Sequence, residues 1–131
     1  MPKKFYSVIL IDDDEITNYL NQRVLEQTHI AEEVKVFLNG KEALDYFKTL
    51  DKSQLNEILV FLDLNMPVMD GWEFLNSYTE ISLPKEKIHI YILSTSKNPD
   101  DYNHAKEYTS VVEGYINKPL SSEILKRIFQ I

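Results

Sequence analysis

The sequence contains no cysteine among its 131 residues. Disulfide bonds and thiolate chemistry are therefore both excluded, and this suits a reducing compartment. No apolar run approaches the ~20 residues that a membrane span requires. Met1-Pro-Lys-Lys4 leads directly into a short strand-like run and not into the hydrophobic region of a signal peptide. We therefore expect a cytoplasmic protein with no membrane segment.

Basic residues are also few, because 14 Lys and Arg residues stand against 21 Asp and Glu residues, for a net charge of -7. This balance argues against a surface that binds nucleic acid or an anionic membrane, and it favours basic or metal partners. The content of 44% hydrophobic and 11% aromatic residues is ordinary for a globular protein. The length fits one core, so residues 1–131 are predicted to form a single domain.

Five short apolar segments alternate with segments of helical periodicity. The apolar segments predict strands at 5–11, 34–38, 58–62, 88–93 and 111–117. Ile16, Leu20 and Val24 recur at helical spacing and place a first helix after the first strand. Later helix starts are indicated by Asn39 with Glu42 as a capping box, by Asn98 before Pro99, and by Ser121. The alternation predicts an α/β fold with a doubly wound, five-stranded parallel sheet and five helices.

Polar side chains follow four of these strands directly. They are Asp12 and Asp13, Asp63, Ser94 and Lys118. Acids near a helix start can simply complement the helix dipole, and this would account for Asp14 and Glu15. It accounts less well for the first two acids, which follow a buried strand and repel each other. The carboxyl ends of parallel strands share one edge, so all these groups are expected in one crevice.

Such a crevice has the parts for phosphoryl transfer. Three carboxylates need a compensating cation, because like charges at ~4 Å repel by ~4 kcal/mol at an effective dielectric of 20. Hard oxygen ligands suit Mg²⁺. Lys118 adds a second positive centre, and the Ser94 hydroxyl can donate to a further oxygen. Asp63 would be the nucleophile and would form an acyl phosphate.

These residues, in this order and spacing, resemble the receiver domain of two-component response regulators, of the stand-alone type. The resemblance runs from about Phe5 to Phe129. It rests on Asp12-Asp13, on Asp63 within Leu-Asp-Leu-Asn-Met-Pro-Val-Met-Asp-Gly, on Ser94 and on Lys118-Pro119. It implies a flavodoxin-like fold with strand order 2-1-3-4-5.

The resemblance also implies a role for each site residue. Asp63 would be the phosphoacceptor, Asp13 and Asp63 would be side-chain ligands of Mg²⁺, Asn65 would ligate through its backbone carbonyl, and Asp12 would act through a metal-bound water. Ser94 and Tyr115 would form the switch, and the Lys118-Pro119 bond would be cis. Many receivers carry Thr followed by Ala where this chain has Ser94-Thr95, so the hydroxyl role falls to one or the other.

The implied function is a phosphoacceptor that takes its phosphoryl group from a histidine kinase or a phosphotransfer protein. It would lose the group slowly and would not be an enzyme with a separate substrate. Its readout would go through the face formed by helix 4, strand 5 and helix 5 to a downstream protein. This expectation holds provided that residues 1–131 are the full gene product and not an excised domain, since they leave no room for an output domain after the fifth helix. His29, His89 and His104 lie outside the crevice motifs and are predicted to be surface or core residues.

Two other functions are weighed. A haloacid-dehalogenase-like phosphatase also uses an aspartyl nucleophile and Mg²⁺, but it needs an acid two residues after the nucleophile, where this chain has Asn65. A degenerate receiver would bind partners without phosphorylation. The intact set of Asp13, Asp63, Ser94 and Lys118 argues against it.

Overall fold

The computed structural model describes residues 4–131, and these form one sheet with helices on both faces. The elements are β1 Phe5–Ile11, α1 Glu15–Thr28, β2 Ala31–Phe37, α2 Gly40–Lys48, β3 Ile58–Leu62, α3 Gly71–Tyr78, β4 Ile88–Ser94, α4 Pro99–Ala105, β5 Val112–Asn117 and α5 Ser122–Phe129. All strand pairs are parallel, in the order β2-β1-β3-β4-β5. The predicted fold is confirmed. Apart from Lys4, the predicted lead-in at Met1-Pro-Lys-Lys4 lies outside the described residues.

Alternate residues of the strands enter two apolar layers. Ile9, Val60 and Ile90 lie on the face covered by α2, α3 and α4, while Leu10 and Phe61 lie on the face covered by α1 and α5. Every residue of β3 is buried because the strand has neighbours on both sides and helices on both faces. Within residues 4–131, no helix has the length and apolar character needed to cross a bilayer.

The edge strand β2 differs from its predicted bounds. It begins at Ala31, three residues earlier than predicted, and it ends at Phe37. The predicted bounds leave out Glu32 and Glu33, which are part of the strand. An edge strand is only partly covered, and the residues of β2 are half-buried or exposed throughout. Acidic residues are therefore tolerated there and do not end the strand.

Helix α1 begins where it was predicted, but its buried face is not the one that the apolar spacing suggests. Ile16 is 73% exposed and Leu20 is 56% exposed. The helix instead buries Asn18, Asn21 and Leu25. The buried face of α1 is mostly polar because it lies next to the polar crevice. The spacing of apolar residues therefore does not indicate which face of this helix is buried.

Side-chain caps start the α-helices. Asp14, Asn98 and Ser121 accept hydrogen bonds from the first turns of α1, α4 and α5. The predicted capping box of α2 is only half formed, because Asn39 accepts from the Glu42 N–H while the Glu42 carboxylate accepts from Leu38. A complete capping box occurs instead at Asp70 and Glu73 before α3.

Away from the crevice, the aromatic side chains pack against other residues, and the histidines are surface or packing residues as predicted. Tyr78 is fully buried, and Trp72 stacks on His104 with their ring centroids 3.9 Å apart. His89 lies between carboxylates, with Nδ1 2.6 Å from Glu113 and Nε2 3.4 Å from Glu57. These contacts tie helices and strands to one another.

Candidate functional site

The carboxyl ends of the strands bring the predicted site residues to one edge of the sheet. Ile11 pairs with Leu62 in the register of β1 and β3, so Asp12 and Asp63 are the next residues on neighbouring strands. The Asp63 N–H donates to the Ile11 carbonyl at 2.9 Å. On the other side, the Lys118 N–H donates to the Ser94 carbonyl at 2.9 Å. Parallel pairing alone therefore gathers residues that are far apart in the sequence.

The acids and the lysine contact one another directly. The Lys118 ammonium lies 2.7 Å from Asp12 Oδ2 and 3.4 Å from Asp63 Oδ1. Asp12 and Asp63 are buried while Asp13 is exposed, and one carboxylate oxygen from each of the three lies within 4.8 Å of the others. The Lys118-Pro119 peptide bond is cis, as predicted.

The charges of this cluster change the proton affinities of its members. Burial and the neighbouring Asp12 raise the pKa of Asp63 to about 6, although Lys118 opposes the shift. Burial acts to lower the pKa of Lys118, but the hydrogen bonds and charges of Asp12 and Asp63 raise it above its ordinary value. Asp63 therefore holds its negative charge at a cost in folding free energy near neutral pH.

Replacing Asp63 with asparagine is expected to stabilise the metal-free protein at pH 7.5. The pKa of Asp63 is 3.8 in the unfolded reference and about 6 in the folded chain. The stability that its protonation supplies is thus complete below pH 3.8 and is lost as the pH rises through about 6. We expect Asp63→Asn to raise the free energy of unfolding by about 1–2 kcal/mol at pH 7.5, a value reduced for solvent screening. Urea denaturation in a chelator measures the change, which should shrink toward zero as the pH falls to 4.

The control for this prediction is Asp45→Asn, which neutralises an exposed acid on α2 paired with Lys41. Its effect should stay within about 0.5 kcal/mol at both pH values. A wild-type protein as stable as Asp63→Asn at pH 7.5 would show that the ionised carboxylate carries no such cost.

The residues predicted to form the switch meet at a shared partner, the Ser96 residue. The Ser94 hydroxyl accepts from the Ser96 N–H at 3.0 Å. The Tyr115 hydroxyl donates to the Ser96 carbonyl at 3.2 Å, and Asn117 donates to the same oxygen at 3.1 Å. Ser94 is 1% exposed while Thr95 is exposed. The sequence did not predict the role of Ser96. Its backbone N–H and carbonyl make these hydrogen bonds, and no neighbouring residue in the sequence indicates that they would.

The loop that follows Asp63 is held close to the site by Gly71. The Gly71 N–H donates to the Leu64 carbonyl at 2.9 Å. A Cβ at this position would lie 2.6 Å from the Asp63 carbonyl oxygen, so the close approach requires glycine. Asn65, the predicted backbone ligand, is exposed in the same loop. Its role stays a prediction.

The three acids fit a hard divalent cation. Carboxylate oxygens within 4.8 Å of one another are suitable ligands, and the exposure of Asp13 leaves room for water to complete the coordination. Asp14 lies outside this set, since its Oδ1 accepts from the Ile16 N–H at the start of α1. Its assignment to the helix start is confirmed.

Comparisons with known proteins agree with this site. The family described as "Response regulator receiver domain" matches residues 8–130. The chain is 32% identical to the probable methanogenesis regulatory protein FilR2 of Methanothrix harundinacea, over 93% of this chain and 77% of that protein. Some of the other relatives are much longer, and the chain spans 8% and 14% of two of them.

Solved structures share both the fold and part of the sequence. A two-component response regulator from Cytophaga hutchinsonii has a TM-score of 0.85 and 32% identity, over 98% of this chain and 96% of that one. The phosphorylated cyanobacterial phytochrome response regulator RcpA has a TM-score of 0.73 and 29% identity, over 94% of this chain and 87% of that one. Together with the crevice of acids, lysine and serine, the match over residues 8–130 shows that this chain belongs to the response regulator receiver domain family of two-component signalling.

Proposed function

We propose that the protein accepts a phosphoryl group on Asp63 from a histidine kinase or a histidine phosphotransfer protein, in a Mg²⁺-dependent reaction, and signals by phosphorylation-dependent protein binding. The observation that carries this proposal is the contact of Lys118 with both Asp12 and Asp63, beside three carboxylates that approach within 4.8 Å. Receiver domains as a family accept phosphoryl groups from such donors.

In the proposed reaction an Asp63 carboxylate oxygen attacks the phosphorus atom. The P–N bond of the donor phosphohistidine breaks, its electron pair stays on the imidazole, and an acyl phosphate forms on Asp63. Because the pKa of Asp63 is about 6, the carboxylate is mostly ionised above neutral pH and ready to attack. The Lys118 ammonium neutralises charge on the phosphoryl oxygens.

A divalent ion would be held by the carboxylates of Asp13 and Asp63, with the Asn65 carbonyl as a further ligand and Asp12 acting through water. When bound, Mg²⁺ would neutralise charge on the phosphoryl group. Burial of Asp12 and Asp63 strengthens such electrostatic contacts, because the local dielectric is lower than that of water.

Phosphorylation is proposed to change the hydrogen bonds that Ser96 makes with Ser94, Tyr115 and Asn117. A phosphoryl group carries about -1.5 to -2 charge and accepts strong hydrogen bonds. The Ser94 hydroxyl would turn toward Asp63 and donate a hydrogen bond to this group. It would then release the Ser96 N–H. Tyr115 and Asn117 bind the carbonyl of the same residue, so the change would reach the face of α4, β5 and α5. A groove of about 330 Å³ on that face, lined by Pro99, Tyr102 and Tyr115 among others, is proposed to contact a downstream protein.

The proposal places the protein in the cytoplasm as a signalling component, without a separate substrate to turn over. A phosphatase of the haloacid dehalogenase type is disfavoured because Asn65, an amide, stands two residues after Asp63 and cannot act as a general acid. Among residues 4–131, no structural feature favours that alternative.

Incubation with acetyl phosphate and Mg²⁺ tests the proposal. Wild-type protein is expected to gain about 80 Da, the mass of one HPO₃ group, in an intact mass spectrum. Asp63→Asn should gain nothing, and the surface control Asp45→Asn should behave as wild type. A chelator should abolish the gain. An unmodified wild-type protein, or an adduct that survives in Asp63→Asn, would overturn the assignment.

A further inference from the structure

Helix α1 buries an amide at the back of the acid cluster. Asn18 is 3% exposed, and its Nδ2 donates to the Asp12 carbonyl at 2.8 Å. Asp12 directly follows β1, and its own N–H donates to the Phe37 carbonyl of β2 at 3.0 Å. The side chain of Asn18 therefore supplies a donor to the first carbonyl after β1.

The same side chain is a poor choice for stability alone. Asn18 Oδ1 is buried without a hydrogen-bond partner among residues 4–131. An unpaired buried carbonyl oxygen is unfavourable. The residues around it include the apolar Leu10, Phe61 and Leu93 besides the polar Asp12, Asn21 and Asp63. A leucine would remove this unsatisfied oxygen but would leave the Asp12 carbonyl without its donor. What asparagine adds is the donor to Asp12.

Fixing the Asp12 carbonyl also fixes the Asp12 carboxylate. Oδ1 of that carboxylate accepts from the Asp14 N–H at 2.9 Å, and Oδ2 accepts from Lys118 at 2.7 Å. Lys118 in turn reaches Asp63 at 3.4 Å. Rotation of the Asp12 peptide would therefore change how the lysine is shared between the two acids.

We propose that Asn18 is a positioning residue for phosphorylation of Asp63, which holds Asp12 and through it Lys118 in the geometry that the metal and the phosphoryl group require. The inference rests on the proposed phosphoacceptor function. Asn18 is not among the proposed metal ligands, and its side chain acts through the main-chain carbonyl of Asp12.

Asn18→Leu tests the inference, with Asn21→Leu as its matched control. Asn21 is 5% exposed on the same helix and lines the same crevice, but its side chain makes no hydrogen bond to Asp12. Three quantities are measured for each variant: the free energy of unfolding without metal, the Mg²⁺ dissociation constant by calorimetry, and the rate of adduct formation with acetyl phosphate. Asn18→Ala is measured as well, in case leucine does not fold at this position.

The expected result is about ten-fold weaker Mg²⁺ binding and about ten-fold slower phosphorylation in Asn18→Leu, as for other residues that orient metal-site ligands. Both leucine variants should be folded, and Asn21→Leu should bind Mg²⁺ and be phosphorylated as wild type. Wild-type rates and Mg²⁺ affinity in a folded Asn18 variant would overturn the inference, as would losses matched by Asn21→Leu or failure of both Asn18 variants to fold. Failure of the wild type to accept phosphate would instead overturn the proposed function.

Discussion

Replacing Lys118 with methionine is expected to slow phosphorylation of Asp63 by about two to three orders of magnitude, the usual loss when one preorganised charge-stabilising donor is removed. Methionine has a similar length but no charge. The Lys118 ammonium lies 2.7 Å from Asp12 and 3.4 Å from Asp63. Without it, the charge of these carboxylates is no longer neutralised by the lysine and repels the incoming phosphoryl group. The rate of adduct formation with acetyl phosphate at saturating Mg²⁺ measures the effect.

The control for this substitution is Lys41→Met, which removes an exposed lysine whose partner is Asp45 on the same helix. It should leave the rate unchanged. A near-ultraviolet circular dichroism spectrum establishes whether Lys118→Met is folded. A folded Lys118→Met that reacts as fast as wild type would contradict the role given to the lysine.

Replacing Gly71 with alanine is expected to lower the free energy of unfolding by about 3 kcal/mol. The new Cβ would lie 2.6 Å from the Asp63 carbonyl oxygen and 2.9 Å from the Leu64 Cα. Both are backbone atoms, so relief requires the loop after β3 to move. Urea denaturation measures the loss, and a slower phosphorylation rate should accompany it because the moving backbone carries Asp63.

Gly114→Ala is the matched control for Gly71. A Cβ at that position would lie 2.9 Å from two ring atoms of Tyr91, which belong to a side chain and not to the backbone. Its stability loss should therefore be smaller than that of Gly71→Ala. Equal losses in the two variants, or a normal phosphorylation rate in Gly71→Ala, would show that the approach to Asp63 is not constrained.

The sequence predicts the central strand β3 well and the edge strand β2 poorly. The bounds of β3 agree because a strand covered on both faces must be apolar at every position. Strand β2 was predicted too short, since one of its sides has no neighbouring strand and it can carry Glu32 and Glu33. Burial on both faces requires a continuous apolar run in the sequence, which β3 has and β2 lacks.

Part of the candidate site could also be predicted from the sequence, and part could not. The meeting of Asp12, Asp63 and Lys118 follows from parallel winding, which needs only the order of the strands. The contributions of Asn18, Gly71 and Ser96 depend on how α1 is rotated and how two loops fold. The apolar spacing of Ile16 and Leu20 predicted the wrong buried face of α1, because both residues are exposed. The face that is buried is mostly polar, so no apolar periodicity indicates it.

The position of the phosphoryl group tests the central claim most directly. Protein treated with acetyl phosphate and Mg²⁺ is reduced with borohydride, which converts a phosphorylated aspartate into homoserine, and its peptides are sequenced by mass spectrometry. The account predicts homoserine at Asp63, and at neither Asp12 nor Asp13, in the wild type, with the signal lost when the metal is chelated. Homoserine at another aspartate, or at none while the intact protein carries phosphate, would contradict it.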